Sequence, residues 1–265
     1  NPTSVSLANH IVDVEAGRLA HQYFAWNFNS GMAAVDSTLA HLLGYQDIVL
    51  ANRNIYGGCY QLLHDWYGKS SNLDIAVNWF DGYTAEEFAK EFGMVKSKYA
   101  DRIAAGRQVY VYLESPCNPH GHVLDVAAIC RAAHEAGLTV ICDSTVGTPF
   151  LHPVLRREDP AERPDFVIHS YTKDLAGYGA TTAGVVIARN ELMFLPKGSK
   201  AEMTGPDGKT RTINWDETLF WNVYYIKGAF LDADKAYEVI NGMRTLELRM
   251  LAKCITTTVF ARALA

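Results

Sequence analysis

Short apolar runs recur along this chain, the first four separated from one another by helix-like stretches, and that alternation restricts the fold more than any other feature. The runs are Asp47–Ala51, Ile75–Phe80, Val109–Leu113, Val140–Cys142, Phe166–His169 and Gly184–Ala188. They are rich in β-branched and aromatic residues and mostly apolar at consecutive positions, as expected of strands buried on both faces. Between them, Ser30 is placed to cap a helix over Gly31–Leu43, closed by Gly44. Tyr56–Tyr67 reads as helical. Thr84-x-x-Glu87 is a capping box for a helix ending near Gly93. Asp125 caps Val126–Ala136, which Gly137 ends. Strands alternating with helices mean βαβ units, so the expected fold is α/β, a three-layer α/β/α arrangement around a mostly parallel sheet.

One segment departs from this rhythm. Pro196–Trp215 is polar and turn-rich, and Gly205-Pro206-Asp207-Gly208 reads as the tip of an inserted hairpin at about 196–215. It is either a solvated surface insertion or a flap over a binding site.

Composition narrows the partners. With 24 Lys and Arg against 29 Asp and Glu, the net charge is −5 and no basic cluster stands out, so neither nucleic acid nor an anionic membrane is expected. No apolar run is long enough to cross a bilayer. The five cysteines form no Cys-x-x-Cys pair, and Cys117, Cys130 and Cys142 fall in or beside core elements, which reads as reduced thiols in a cytoplasmic protein. The chain opens Asn1-Pro2-Thr3 and ends at Phe260–Ala265 within a helical pattern, which reads as a fragment.

The polar residues that matter sit at the carboxyl ends of the strands, where open α/β sheets bind their ligands. One strand ends in Asp143. The next ends in Ser170-Tyr171-Thr172-Lys173, and a third runs into Glu114-Ser115-Pro116-Cys117-Asn118-Pro119. A strand-end acid followed by hydroxyls and an amine is what pyridoxal phosphate requires. Lys173 would form the Schiff base, Asp143 would keep the pyridine nitrogen protonated, and the hydroxyls would hold the phosphate. Such a lysine is expected to be reachable and partly desolvated. Ser30-Gly31-Met32-Ala33 at a helix start offers free amides to a phosphate. Tyr56 beside Gly57 and Gly58 could stack on a ring. Two patterns compete with this reading. Ser170-x-x-Lys173 also fits penicillin-recognising serine enzymes, but the Ser-Asp-Asn and Lys-Thr-Gly elements are absent. His120-Gly121-His122 lacks the further ligands of a metal site, so no metal is expected.

Ser30-Gly31-Met32-Ala33-Ala34, Tyr56-Gly57-Gly58, Glu114-Ser115-Pro116-x-Asn118-Pro119, Asp143-x-Thr145, His169-Ser170-x-Thr172-Lys173 and Gly242-Met243-x-Thr245-Leu246-x-x-Arg249-Met250 together resemble the Cys/Met-metabolism pyridoxal-phosphate enzymes, the transsulfuration family. The resemblance implies the large domain of an aspartate-aminotransferase-type fold. It gives Lys173, Tyr56 and Asp143 catalytic roles, and sets Gly31, Met32, Asn118, Thr145, Ser170 and Thr172 with them around the cofactor. It also implies a homodimer or homotetramer, with residues 1–235 as the cofactor-binding domain and 236–265 starting an interdomain helix toward a C-terminal domain outside the chain. An N-terminal arm would likewise lie outside it. Ser144, Val146, Asp174 and Tyr178-Gly179-Ala180 depart from the family pattern. The expected activity is elimination, carbon–sulfur lyase chemistry on a small sulfur-containing amino acid such as methionine, cystathionine or homocysteine. The alternatives are a γ-replacement transferase and a non-catalytic cofactor-fold protein.

Overall fold

A computed structural model describes all of residues 1–265. Seven strands form one sheet: β1 (Tyr23–Phe28), β2 (Ile48–Asn52), β3 (Ala76–Phe80), β4 (Val109–Glu114), β5 (Thr139–Asp143), β6 (Phe166–His169) and β7 (Gly184–Arg189), in the order β1-β7-β6-β5-β4-β2-β3. From β3 to β6 neighbouring strands run parallel. β7 runs against both β6 and β1.

Alternation along each strand divides the core into two halves. Ile48, Leu50, Val111, Leu113 and Val140 face one side, against helices Pro2–Ala16, Ala85–Lys98, Val126–Glu135 and Ala233–Met243. Val49, Ala51, Tyr112 and Ile141 face the other, against helix Gly31–Leu42 and the segment Gly57–Tyr67. Apolar residues on both faces of the same strands produce the three layers expected. The caps form as the sequence indicates. Ser30 Oγ accepts from Ala33 N–H at 3.1 Å, the Thr84/Glu87 box closes, and Asp125 accepts from Ala128 N–H at 3.1 Å.

Several features differ from the sequence reading. Helix Pro2–Ala16 and β1 were not legible as elements, although Asn1 caps the helix and Leu7, Ile11 and Val12 seat it in the core. The helix opened by Thr84 does not stop near Gly93 but runs to Lys98. Phe88 and Val95, both buried, outweigh a helical glycine's cost of about 1 kcal/mol. Tyr56–Tyr67 is not one helix: a short α-helix, Gly57–Gln61, passes into a π-helical turn, Leu62–Tyr67.

The hairpin forms as β8 (Lys200–Thr204) and β9 (Thr210–Asn214). It is not a flap. Its inward residues Met203 and Ile213 join the core that contains Phe166 and Ala188, and Arg189 Nη1 donates to Thr204 O at 3.2 Å. Phe166 begins β6 and Arg189 ends the opposed β7, so the hairpin lies at the end of the sheet away from Asp143 and Ser170. All five cysteines are unpaired, and no helix is long and apolar enough to cross a membrane.

Candidate cofactor site

At the carboxyl ends of β4, β5 and β6 a cleft of about 440 Å³ opens, and Gly31, Met32, Tyr56, Asn118, Asp143, Thr145, Ser170, Thr172 and Lys173 all line it. Five separate stretches of chain are therefore brought to one place.

The close approach that makes one wall depends on glycine. A Cβ on Gly31 would stand 2.7 Å from Ser170 Cβ, and one on Gly184 would stand 2.4 Å from Ser30 O. The start of helix Gly31–Leu42 is thus pressed against the turn after β6 and the start of β7. Its free N–H groups and the Ser170 hydroxyl face one corner, a natural anion cradle. Thr172 differs. Its Oγ1 donates to Ala183 O at 3.2 Å and accepts from Ala183 N–H at 3.0 Å, so this hydroxyl spends its proton bracing the turn on β7.

The floor is acidic and buried. Asp143 is 8% exposed; its Oδ1 accepts from Thr145 N–H at 3.0 Å, while Thr145 Oγ1 accepts from Ser170 N–H at 2.8 Å. Burial pushes the Asp143 carboxyl up, against the downward pull of the Thr145 hydrogen bonds and His169. Beside it stands Glu114, which the sequence reading placed in a motif but not in the site. Glu114 Oε2 accepts from Tyr56 N–H and Oε1 from Asn118 N–H, both at 2.7 Å. One carboxylate therefore fixes the backbone of two cleft segments. Burial first, and then the charge of Asp143, raise Glu114 to about 8, despite those two amides. Asn52 completes the support: Glu114 N–H donates to Asn52 Oδ1 at 2.8 Å. The sequence signal for Glu114 was an acid ending a run otherwise apolar.

Cys59 also reaches the floor. Its Sγ and the carboxylates of Glu114 and Asp143 lie within 4.8 Å of one another. Burial pushes the thiol well up, and Tyr112 Oη donates to it at 3.3 Å. His120 and His122 stack on each other at 5.7 Å, away from this group.

The upper rim is open. Tyr56 is 43% exposed, and a Cβ on Gly58 would lie 2.7 Å from its ring, so that glycine makes room for it. Lys173 stands exposed in the turn after β6 rather than partly desolvated, because that turn projects it from the strand end. Asn118 is exposed at the rim as well. The Ser170–Lys173 sequence leaves a strand instead of opening a helix, unlike the serine-enzyme pattern.

Two buried carboxyl groups, both raised by burial, call for a cation above them. The opposite corner calls for an anion, and an amine stands at the rim. A protonated pyridine carrying a phosphate and an aldehyde meets all three demands, so the residues present fit pyridoxal phosphate. Fold and cleft together define a pyridoxal-phosphate-dependent enzyme class. The chain belongs to the Cys/Met metabolism PLP-dependent enzyme family, whose profile matches residues 1–265. Among its relatives, the L-methionine gamma-lyase of Pseudomonas putida is 30% identical over 265 residues, covering 100% of this chain and 55% of that protein. The L-methionine gamma-lyase of Fusobacterium nucleatum subsp. nucleatum is 29% identical over 255 residues, covering 96% and 53%. The cystathionine gamma-synthase/O-acetylhomoserine (thiol)-lyase of Bacillus subtilis is 30% identical over 254 residues, covering 94% and 54%. The chain spans about half the length of the curated relatives it matches.

Proposed function

We propose that this chain holds pyridoxal 5'-phosphate through Lys173, and that the whole protein uses it to eliminate a sulfur substituent from a small amino acid such as methionine, cystathionine or homocysteine. The observation that carries the reading is the paired buried carboxyls of Asp143 and Glu114 beneath the rim bearing Lys173. When bound, the cofactor supplies an electron sink for the bond to the substrate Cα.

The chain's own residues supply the rest. Asp143 would keep a proton on the ring nitrogen by offering a buried negative charge. Gly31, Met32 and Ser170 receive the phosphate, and Thr172 holds their geometry through Ala183. Glu114 sets the backbone of Tyr56 and Asn118, residues whose ring and amide would hold the cofactor. Lys173 Nζ would hold the cofactor and, once released by the substrate amine, would take the Cα proton and return it at a neighbouring carbon. The division into a cofactor-binding part, 1–235, and a connecting part, 236–265, belongs to the same proposal, as do a homodimeric or homotetrameric assembly and a cytoplasmic location. A γ-replacement transferase is the second reading, favoured by relatives such as the O-acetyl-L-homoserine sulfhydrylase of Leptospira meyeri, 26% identical over 272 residues.

The test is borohydride reduction of the chain after addition of pyridoxal phosphate, with peptide mapping. The reduced adduct is expected on Lys173 and lost in Lys173→Ala; a parent chain without adduct on Lys173 sinks the proposal. With the full-length protein, thiol and keto-acid release from methionine alone supports elimination. Product only when a second thiol is supplied supports replacement. Cofactor binding without Cα-proton exchange of any amino acid would mark a non-catalytic protein.

A further inference from the structure

The turn that carries Lys173 is gripped from outside by the last helix. Within the turn, Ala176 N–H donates to Tyr171 O at 2.8 Å and Gly177 N–H to Lys173 O at 2.9 Å. On one side lies Gly242, where a Cβ would fall 1.9 Å from Ala176 O. On the other lies the Arg249 guanidinium, within 2.3 Å of where a Cβ on Gly177 would be; Gly177 also has φ +85°. Arg249 Nη1 donates to Asp174 O at 2.7 Å, Nη2 to Gly242 O at 2.8 Å and Nε to Thr245 Oγ1 at 3.0 Å. A single fork therefore ties the residue after Lys173 to the end of the preceding helix. Helix Leu246–Leu264 is itself seated by Leu246 and Met250, each 3% exposed. One turn beyond Arg249, Lys253 pairs with the Asp174 carboxylate. Lys253 is 59% exposed, so that pair adds direction more than strength.

We propose that Arg249 is a positioning residue for Lys173, and that helix Leu246–Leu264 sets where the lysine amine stands over the acidic floor. The inference rests on the functional reading for what Lys173 does, but its geometry stands apart from it. An amine that must reach one point twice, to attach a cofactor and then to carry a proton, needs a turn that does not swing. A fork spanning two carbonyls does this; a lysine's point charge does not.

The test is hydrogen exchange on the 265-residue chain, comparing the parent with Arg249→Ala, Arg249→Lys and Asp174→Asn. Exchange is followed in peptides covering 171–178, with β5 as control. Loss of the charged hydrogen bonds in Arg249→Ala is expected to speed exchange there about tenfold. Arg249→Lys should fall between parent and Arg249→Ala, and Asp174→Asn should give about twofold. Pyridoxal phosphate added to the same proteins gives a second reading, with faster cofactor release and a shifted visible maximum in the order of the exchange rates. Equal exchange over 171–178 in parent and Arg249→Ala, with β5 still protected, overturns the inference. If Arg249→Ala loosens β5 too, Arg249→Lys and Asp174→Asn decide, and parental exchange in both overturns it. A parent that binds no pyridoxal phosphate refutes the functional reading, while the exchange comparison still decides this one.

Discussion

Glu114→Gln separates the two demands placed on the floor. Glu114 is 3% exposed and its carboxyl is raised from 4.5 to about 8. A carboxyl raised in the folded state adds stability that is fully present below its unfolded value and is lost as pH climbs through the folded one. At about 1.4 kcal/mol per pH unit, the whole rise corresponds to roughly 5 kcal/mol lost between pH 4.5 and 8. Asp143 titrates with it, so the share of Glu114 is on the order of 3 kcal/mol. Glutamine does not titrate, but it costs something else. Its single carbonyl can accept from Tyr56 N–H or from Asn118 N–H, and its NH2 then faces the other amide at a donor–donor distance near 2.7 Å. That loss is about 1–2 kcal/mol at any pH. Urea unfolding of the cofactor-free parent and variant at pH 5 through 9 reads both terms. The parent should be the more stable at pH 5 by about 1–2 kcal/mol. Its advantage should reverse by pH 9, a swing of about 3 kcal/mol. Titrating groups remote from the floor are common to both proteins and cancel in the difference, while Asp143, which titrates with Glu114, contributes to the swing. A parent-minus-variant difference that stays constant across this range would refute a raised, buried Glu114.

Three further outcomes follow from the same geometry. Gly31→Ala puts a methyl 2.7 Å from Ser170 Cβ and must part the helix start from the turn, so pyridoxal phosphate affinity by titration should fall about tenfold or more while far-UV circular dichroism is unchanged. Thr172→Ala removes two hydrogen bonds to Ala183 and should lower unfolding free energy by about 1–2 kcal/mol, whereas Ser170→Ala should weaken cofactor binding with little change in melting temperature. Glu15→Ala should cost about 3–5 kcal/mol in denaturant unfolding, because Glu15 and His169 are both 0% exposed, their Oε2 and Nε2 are 2.9 Å apart, and Leu155 N–H donates to the other Glu15 oxygen at 3.2 Å.

The central strands were legible because burial on both faces leaves an uninterrupted apolar run that helical surfaces do not need. Strand β1, Tyr23-Phe24-Ala25-Trp26-Asn27-Phe28, is aromatic too, but it alternates buried and half-buried residues and is interrupted by Asn27. It is an edge strand whose partner, β7, lies some 160 residues on, and pairing over that separation leaves no local pattern. Its buried Asn27 makes sense only in three dimensions, where Nδ2 donates to Ser4 O at 2.7 Å and Oδ1 accepts from Tyr171 Oη at 2.9 Å. The reversed direction of β7 was invisible for a related reason: a strand's composition does not depend on which way it runs. The candidate residues were legible because each stands at the end of a strand or the start of a helix, and those positions can be read. Glu114 is visible only as a strand-end acid, because the spacing that reveals a strand end does not reveal that a side chain turns back to hold two other segments.

Arranging the cleft this way has a consequence for loading it. Asp143 and Glu114 are near each other, buried and raised, so the floor resists carrying two negative charges at once. A ligand that brings its own positive ring nitrogen restores the charged form of at least one of them, and the attraction between that nitrogen and the acid grows with the burial that made the empty floor costly. The same geometry that weakens the chain at high pH therefore strengthens its hold on a protonated heterocycle. Pyridoxal phosphate should accordingly stabilise the parent more at pH 8 than at pH 5.5, and should stabilise Asp143→Asn about equally at both, in melts at saturating cofactor. A stabilisation of the parent that is independent of pH would mean that the acids of the floor do not meet the ring nitrogen, and that the cleft holds its ligand by the phosphate corner alone.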